Sequence, residues 1–151
     1  MAKKFNKTAF RRWLDYLCKV TSKTGDNFTC QKCGKNLQCD RYNCQWCHIK
    51  SRNRNNLRWD IANNETLCGT CHAWAHANPD VSWEWLYEKY PGRKIYLNDK
   101  AKEPLKTWRE ADYIEIEEYL LSKARDLNVD VYDFPKEFRV RFRRKMKGGE
   151  Q

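Results

Sequence analysis

Two kinds of metal-binding side chain crowd the middle of this 151-residue chain. Cys30 and Cys33 form one Cys-x-x-Cys pair, and Cys68 and Cys71 form another. Two residues between thiolates let a tight turn aim both sulfurs at one ion, and two such pairs complete a tetrahedral zinc site. The spacing predicts a structural zinc that ties an early knuckle to a later helix. Cys44 and Cys47 make a third Cys-x-x-Cys, which competes for that ion or holds a second, and Cys39 lies close by. A histidine beside a zinc cysteine can also be a ligand, so His48 or His72 could replace one sulfur in a Cys3His set. His72 and His76 are four apart, hence on one face of a helix, as a two-imidazole metal clamp requires. His48 stands apart from them. A neutral imidazole there could take a proton from water if a neighbour holds its tautomer and ring plane, work suited to the amide of Asn63.

These residues need elements to position them. Thr8 is placed to cap a first helix that runs to Ser22 or Lys23, with Phe10, Trp13, Leu14 and Leu17 on one face and Cys18 as a small core residue. Gly25-Asp26-Asn27 ends it. Residues 28–33 read as the strand and turn of a zinc knuckle. Residues 37–49 read as the two strands of a hairpin turning near 40–43. A basic, Asn-rich loop covers 50–58. A helix starts near Gly69 and stops before Asn78-Pro79. Ser82 is placed to cap a short helix over 83–90 that Pro91-Gly92 ends, and 94–97 reads as a short strand. A polar linker over 98–108 leads to a helix over 111–127. Its apolar face is Tyr113, Ile116, Leu120, Ala124 and Leu127, and its acidic face is expected to be solvated. The residues from Phe138 on read as an edge strand or a disordered arm. The chain thus divides into a basic N-terminal helix (1–27), a core with zinc knuckles (28–97) and a linker, acidic helix and basic arm (98–151).

The net charge of +10 favours a polyanionic partner, and nucleic acid is the commonest. Lys50, Arg52, Arg54 and Arg58 flank His48, and Arg141, Arg143 and Arg144 mark the C-terminal arm. The plainer reading is a solvated basic loop and tail. Trp46, Trp59 and Trp74 read as core around the metals. So polar a chain has a small core that needs a staple. No stretch is apolar enough to span a membrane, and no apolar leader opens the sequence. A reducing, cytoplasmic setting is therefore expected, in which eight cysteines favour metal over disulfides.

Residues 28–91 resemble an HNH endonuclease of the His-Me finger superfamily, in the zinc-stapled form common in phage genomes. The resemblance is carried by CQKCGK, CHIKSR, LRWDIANNETLCGTCHAWAHANP and WEWLYEKYPGR. It implies an α+β fold with a small ββα-metal core, a structural zinc site and flanking helices. The core order would be strand, His48, loop, strand, and the helix holding His72 and His76. It implies a metal-dependent DNA endonuclease in which His48 is the general base, Asn63 fixes the loop facing it, and His72 and His76 bind Mg2+ or Mn2+. Products with 5′-phosphate and 3′-hydroxyl ends are implied as well. The setting would be the cytoplasm of a phage-infected or prophage-bearing host. One position departs from the family: the residue before the base is often an Asp or His ligand and here is Cys47, a soft donor better suited to Mn2+, Zn2+ or Ni2+. The alternatives are a non-catalytic zinc-stapled nucleic-acid-binding module and, more weakly, an RNA-directed nuclease. Oligomeric state is not readable from these residues.

Overall fold

The structure, a computed structural model, describes residues 5–129. The C-terminal arm, with Arg141, Arg143 and Arg144, lies outside the described residues.

Helix α1 spans Lys7–Gly25. Its N-cap is Asn6 rather than Thr8: the Asn6 side chain accepts from Ala9 N at 3.0 Å, satisfying a donor the helix leaves unpaired. The apolar face buries Phe10, Trp13, Leu14, Leu17 and Cys18 against Tyr113, Leu120 and Leu121 of α5, which spans Glu110–Asp126. Each large side chain so buried contributes about 1.5–3 kcal/mol, so this two-helix contact is the main apolar support of the molecule. The acidic face of α5 is not wholly solvated. Glu117 lies four residues after Tyr113 and three before Leu120, so helical spacing turns it inward; it is 3% exposed and accepts from Trp13 Nε1 at 2.7 Å.

The centre holds two short strands, β1 (Gln45–His48) and β2 (Asn64–Leu67), paired antiparallel with His48 opposite Asn64 and Gln45 opposite Leu67. The hairpin expected within 37–49 is not formed. The partner of β1 comes from beyond the 49–63 loop, while the earlier stretch makes only an isolated Thr29–Asn36 bridge. Gln38, Cys39, Arg41 and Tyr42 are exposed, so that segment offers no apolar face to a ladder. A single 3-10 turn, Ile61–Asn63, leads into β2, and α2 (Gly69–Ala77) follows it, ending before Pro79 as expected.

Helix α3 spans Glu84–Lys89 and has no side-chain cap; Ser82 Oγ instead donates to Pro79 O at 3.4 Å. The expected strand at 94–97 is helical, part of α4 (Pro91–Lys102). Pro91 both closes α3 and opens α4, since proline fits the first helical position, where no N–H is needed. The helix therefore runs into the stretch read as linker. Its Arg93 braces β2, donating through Nε to Ala62 O at 2.6 Å and through Nη2 to Asn64 O at 2.8 Å, and pairing with buried Glu65. The described residues form a small α+β fold of five α-helices and one two-stranded antiparallel sheet. Among them no helix is long and apolar enough to cross a membrane.

Candidate metal centre and histidine cleft

The knuckle forms because Cys30 pairs with its own turn. Cys30 N donates to Lys35 O at 2.9 Å and Gly34 N donates to Cys30 O at 2.8 Å. Gly34 takes a positive φ of 76°, open to glycine at no steric cost. Gln31 N donates to Thr66 O at 2.9 Å, so the knuckle docks on β2. The second pair opens α2, with Cys68 as its N-cap accepting from Cys71 N.

The result is one cluster in which the sulfurs of Cys30, Cys33, Cys68 and Cys71 all lie within 4.8 Å of one another. Four sulfurs around zinc at about 2.3 Å have edges of about 3.8 Å. Cys33 and Cys68 already stand 3.8 Å apart. The donor set therefore fits a zinc-like ion. Burial raises the Cys30 thiol, but the backbone N–H groups of Cys33, Cys68 and Lys32 outweigh it and bring it down to about 7. Burial and the neighbouring sulfurs push Cys71 upward, a repulsion that a central cation offsets.

Neither Cys44 nor Cys47 joins this cluster, nor does a histidine, so the mixed sets are not assembled. Cys44 and Cys47 are packed with Leu37, Leu67 and Ala75. Burial pushes the Cys47 thiol up to about 12, which keeps it protonated near neutrality and a poor ligand. Cys39 is exposed and Cys18 lies buried in the α1–α5 core.

His48 ends β1. Its Nε2 lies 3.1 Å from Arg58 O, a carbonyl that can only accept. Nε2 therefore carries the proton, and Nδ1 is left with its lone pair. Burial lowers the imidazole below its ordinary value; the Arg58 carbonyl and Asp15 act the other way without cancelling it. The shift favours the neutral ring. The loop that supplies this carbonyl is tied by Asn63, which is fully buried. Asn63 Oδ1 accepts from Lys50 N at 2.7 Å, and its Nδ2 donates to Lys50 O at 3.0 Å and Leu57 O at 3.1 Å. Its neighbour Asn64 turns elsewhere, donating to Asp60 O at 2.5 Å and toward Cys18 Sγ.

His72 and His76 meet on α2 with their Nε2 atoms 2.9 Å apart. Two nitrogens bound at about 2.1 Å on right-angle positions of an octahedral ion stand about 3.0 Å apart, so the pair suits an octahedral ion better than a tetrahedral one. Gln45 Oε1 accepts from His72 Nδ1 at 2.5 Å, so His72 Nε2 carries the lone pair, which accepts from His76 Nε2 here and is the nitrogen an ion would take. Burial, then the charge of His76, lowers His72. No third Cys, His, Asp or Glu among the described residues completes a cluster with this pair.

His48, His72 and His76 line one cleft of about 940 Å3 together with Trp46, Cys47 and Ala75. Lys50, Arg52, Lys94 and Asn98 line it too, and Asp80 and Glu84 supply acidic lining. Lys50 Nζ donates to Asn98 Oδ1 at 2.8 Å. Arg54 is exposed outside the cleft lining. Arg58 is also outside it: its guanidinium forms a two-pronged pair with Asp15. Of the tryptophans, Trp59 is core, Trp46 packs against that core, and Trp74 is 36% exposed under the Lys32 ammonium.

Sequence reasoning missed Asp15, Gln45 and the Arg58 carbonyl. Strand alternation puts Gln45 on the face of Cys47, which packs with Cys71 and Ala75 of α2, and that signal could have found it. The 43-residue gap from Asp15 to Arg58 left no local trace. No family model, curated protein or solved structure matches the chain.

Proposed function

We propose that the chain is a metal-dependent endonuclease that hydrolyses DNA phosphodiesters with His48 as general base, in the manner of the HNH family that residues 28–91 resemble. One observation carries this reading: an imidazole whose Nε2 meets the Arg58 carbonyl lines the same cleft as a second pair of imidazoles whose Nε2 atoms stand 2.9 Å apart. A general base must be deprotonated at working pH and held in one tautomer; burial, which lowers His48, and the Arg58 carbonyl at Nε2 support both.

His48 Nδ1 takes a proton from water as the oxygen attacks phosphorus, and the 3′ oxygen departs with a proton from solvent. Asn63 holds the loop from Lys50 to Leu57 and so keeps the Arg58 carbonyl in reach of the ring. Lys50, Arg52 and Lys94 offer positive charge to the phosphates on either side of the cut. His72 and His76 would hold a divalent ion, Mg2+ or Mn2+ as the resemblance implies. Once bound, it would stabilise charge on the phosphate and the leaving oxygen. Their imidazoles, with Cys47 protonated, suit Mn2+ better than Mg2+. Cys30, Cys33, Cys68 and Cys71 would hold a structural zinc apart from the chemistry.

The test is nicking of supercoiled plasmid by zinc-loaded protein with Mg2+, Mn2+, Zn2+ or Ni2+, followed by analysis of the ends. The expected product carries a 5′-phosphate and a 3′-hydroxyl, and duplex DNA should outcompete RNA. Inertness with every ion, alongside retained DNA binding, would replace this reading with a zinc-stapled binding module.

A further inference from the structure

Asp15 lies on α1, outside the region that resembles any nuclease, yet it takes three hydrogen bonds from one short segment of the loop beside His48. Arg58 Nε donates to its Oδ1 at 2.9 Å and Arg58 Nη2 to its Oδ2 at 2.6 Å. Trp59 Nε1 donates to Oδ1 at 2.8 Å. The peptide joining residues 58 and 59 is thus held by both of its flanking side chains. The carbonyl of that peptide is the one that His48 Nε2 meets at 3.1 Å.

We propose that Asp15 is a positioning residue for His48: by clamping Arg58 and Trp59 it fixes the carbonyl that selects the imidazole tautomer and ring plane. The geometry suits this role better than simple bracing. An exposed ion pair adds little stability, and a buried one can often be replaced by apolar groups without loss. A planar, two-pronged guanidinium–carboxylate contact plus an indole N–H instead fixes orientation, because all three bonds are directional. α1 is further anchored by Phe10, Trp13, Leu14 and Leu17 in the main core, so the clamp is mounted on a rigid element. The N-terminal helix is then part of the site rather than an appendage.

The inference rests on the proposed role of His48 only where activity is read. The test therefore has a spectroscopic arm that needs no turnover. Zinc-loaded wild-type protein, Asp15→Asn and Arg58→Lys are compared by ring-nitrogen NMR, which separates the two neutral histidine tautomers. With three histidines in the chain, the signals can be assigned by substitution. In Asp15→Asn an amide nitrogen faces donors, so the clamp loses at least one bond. His48 should pass from the single Nε2–H form to a mixture of tautomers, while His72, held by Gln45, should stay as it is. Nicking should lose about 10- to 100-fold in kcat with KM for DNA little changed, the size usual for losing a partner that orients a functional imidazole. Arg58→Lys keeps the charge but removes the fork, and it should give the same change in smaller measure; it also serves if Asp15→Asn folds poorly. If both variants fold, keep their zinc and leave the His48 ring nitrogens unchanged, Asp15 only braces the fold and the inference is overturned. The NMR result decides this whether or not the protein nicks DNA.

Discussion

The sulfur cluster and the histidine cleft draw on the same helix but are completed to different degrees. α2 supplies Cys68 and Cys71 to one, and His72 and His76 to the other. The sulfur cluster is closed: four donors, three of them buried, stand at mutual distances that fit one ion. The cleft is open: two donors sit at chelating distance, a third imidazole is tied to a backbone carbonyl, and basic side chains share the lining. A closed donor set supports folding, whereas an open one leaves room for substrate and water. The contrast separates residues whose loss should unfold the chain from residues whose loss should only silence it.

The largest effect is expected on the closed side. Structural zinc in small domains contributes about 10–16 kcal/mol, as much as or more than the whole net stability of a typical domain. Cys68→Ala should therefore lose zinc and unfold the centre of the chain, seen as collapse of the thermal transition and of zinc content. A zinc-free but fully folded variant would erase the distinction between the regions.

Asn63 sharpens the comparison, because it is a buried polar residue that serves the open site. Asn63→Ala removes three hydrogen bonds and strands two carbonyls and an amide, so a loss of about 3 kcal/mol is expected by denaturant unfolding, with zinc retained. Unchanged stability would mean that the loop is held by other contacts.

Gln45→Ala should act only on the ion in the cleft. Freeing His72 Nδ1 should weaken divalent-ion binding there by about 10- to 100-fold in calorimetry while the zinc content of the sulfur cluster stays the same. Equal losses at both sites would show that they are not independent.

The smallest effect is in pH. Burial lowers His48, so nicking should rise with pH along a limb whose midpoint lies below the ordinary histidine value near 6.5. The stability term has the same sign. The unfolded chain binds a proton there first, so the contribution is complete above 6.5 and is lost as pH falls toward the folded value. A limb above 6.5 would assign the titration to another group.

What could be read from the sequence was local. Two residues between cysteines, three between His72 and His76, and the apolar face of α1 each report a turn or a helix through spacing alone. The mixed α+β character was expected, and residues 45–77 form two antiparallel strands, a 3-10 turn and a helix. Partners set by the tertiary fold were not readable. The strand pairing across the 49–63 loop, the Asp15–Arg58 clamp and the Arg93 brace on β2 all join distant segments. Residues 94–97, Lys-Ile-Tyr-Leu, carry strand-forming side chains, but Pro91 starts a helix there and Leu97 is buried on it. Glu117 showed the converse: its type said solvent, whereas its helical phase and the Trp13 indole N–H draw it inside.

The most direct test of the division of labour is His48→Ala in zinc-loaded protein, assayed for zinc content, melting temperature and plasmid nicking in one preparation. The account predicts unchanged zinc, a melting temperature within a few degrees of wild type and a loss of nicking of about 10²- to 10⁴-fold, the usual worth of a general base. Nicking at the wild-type rate, or loss of zinc and fold together, would contradict it.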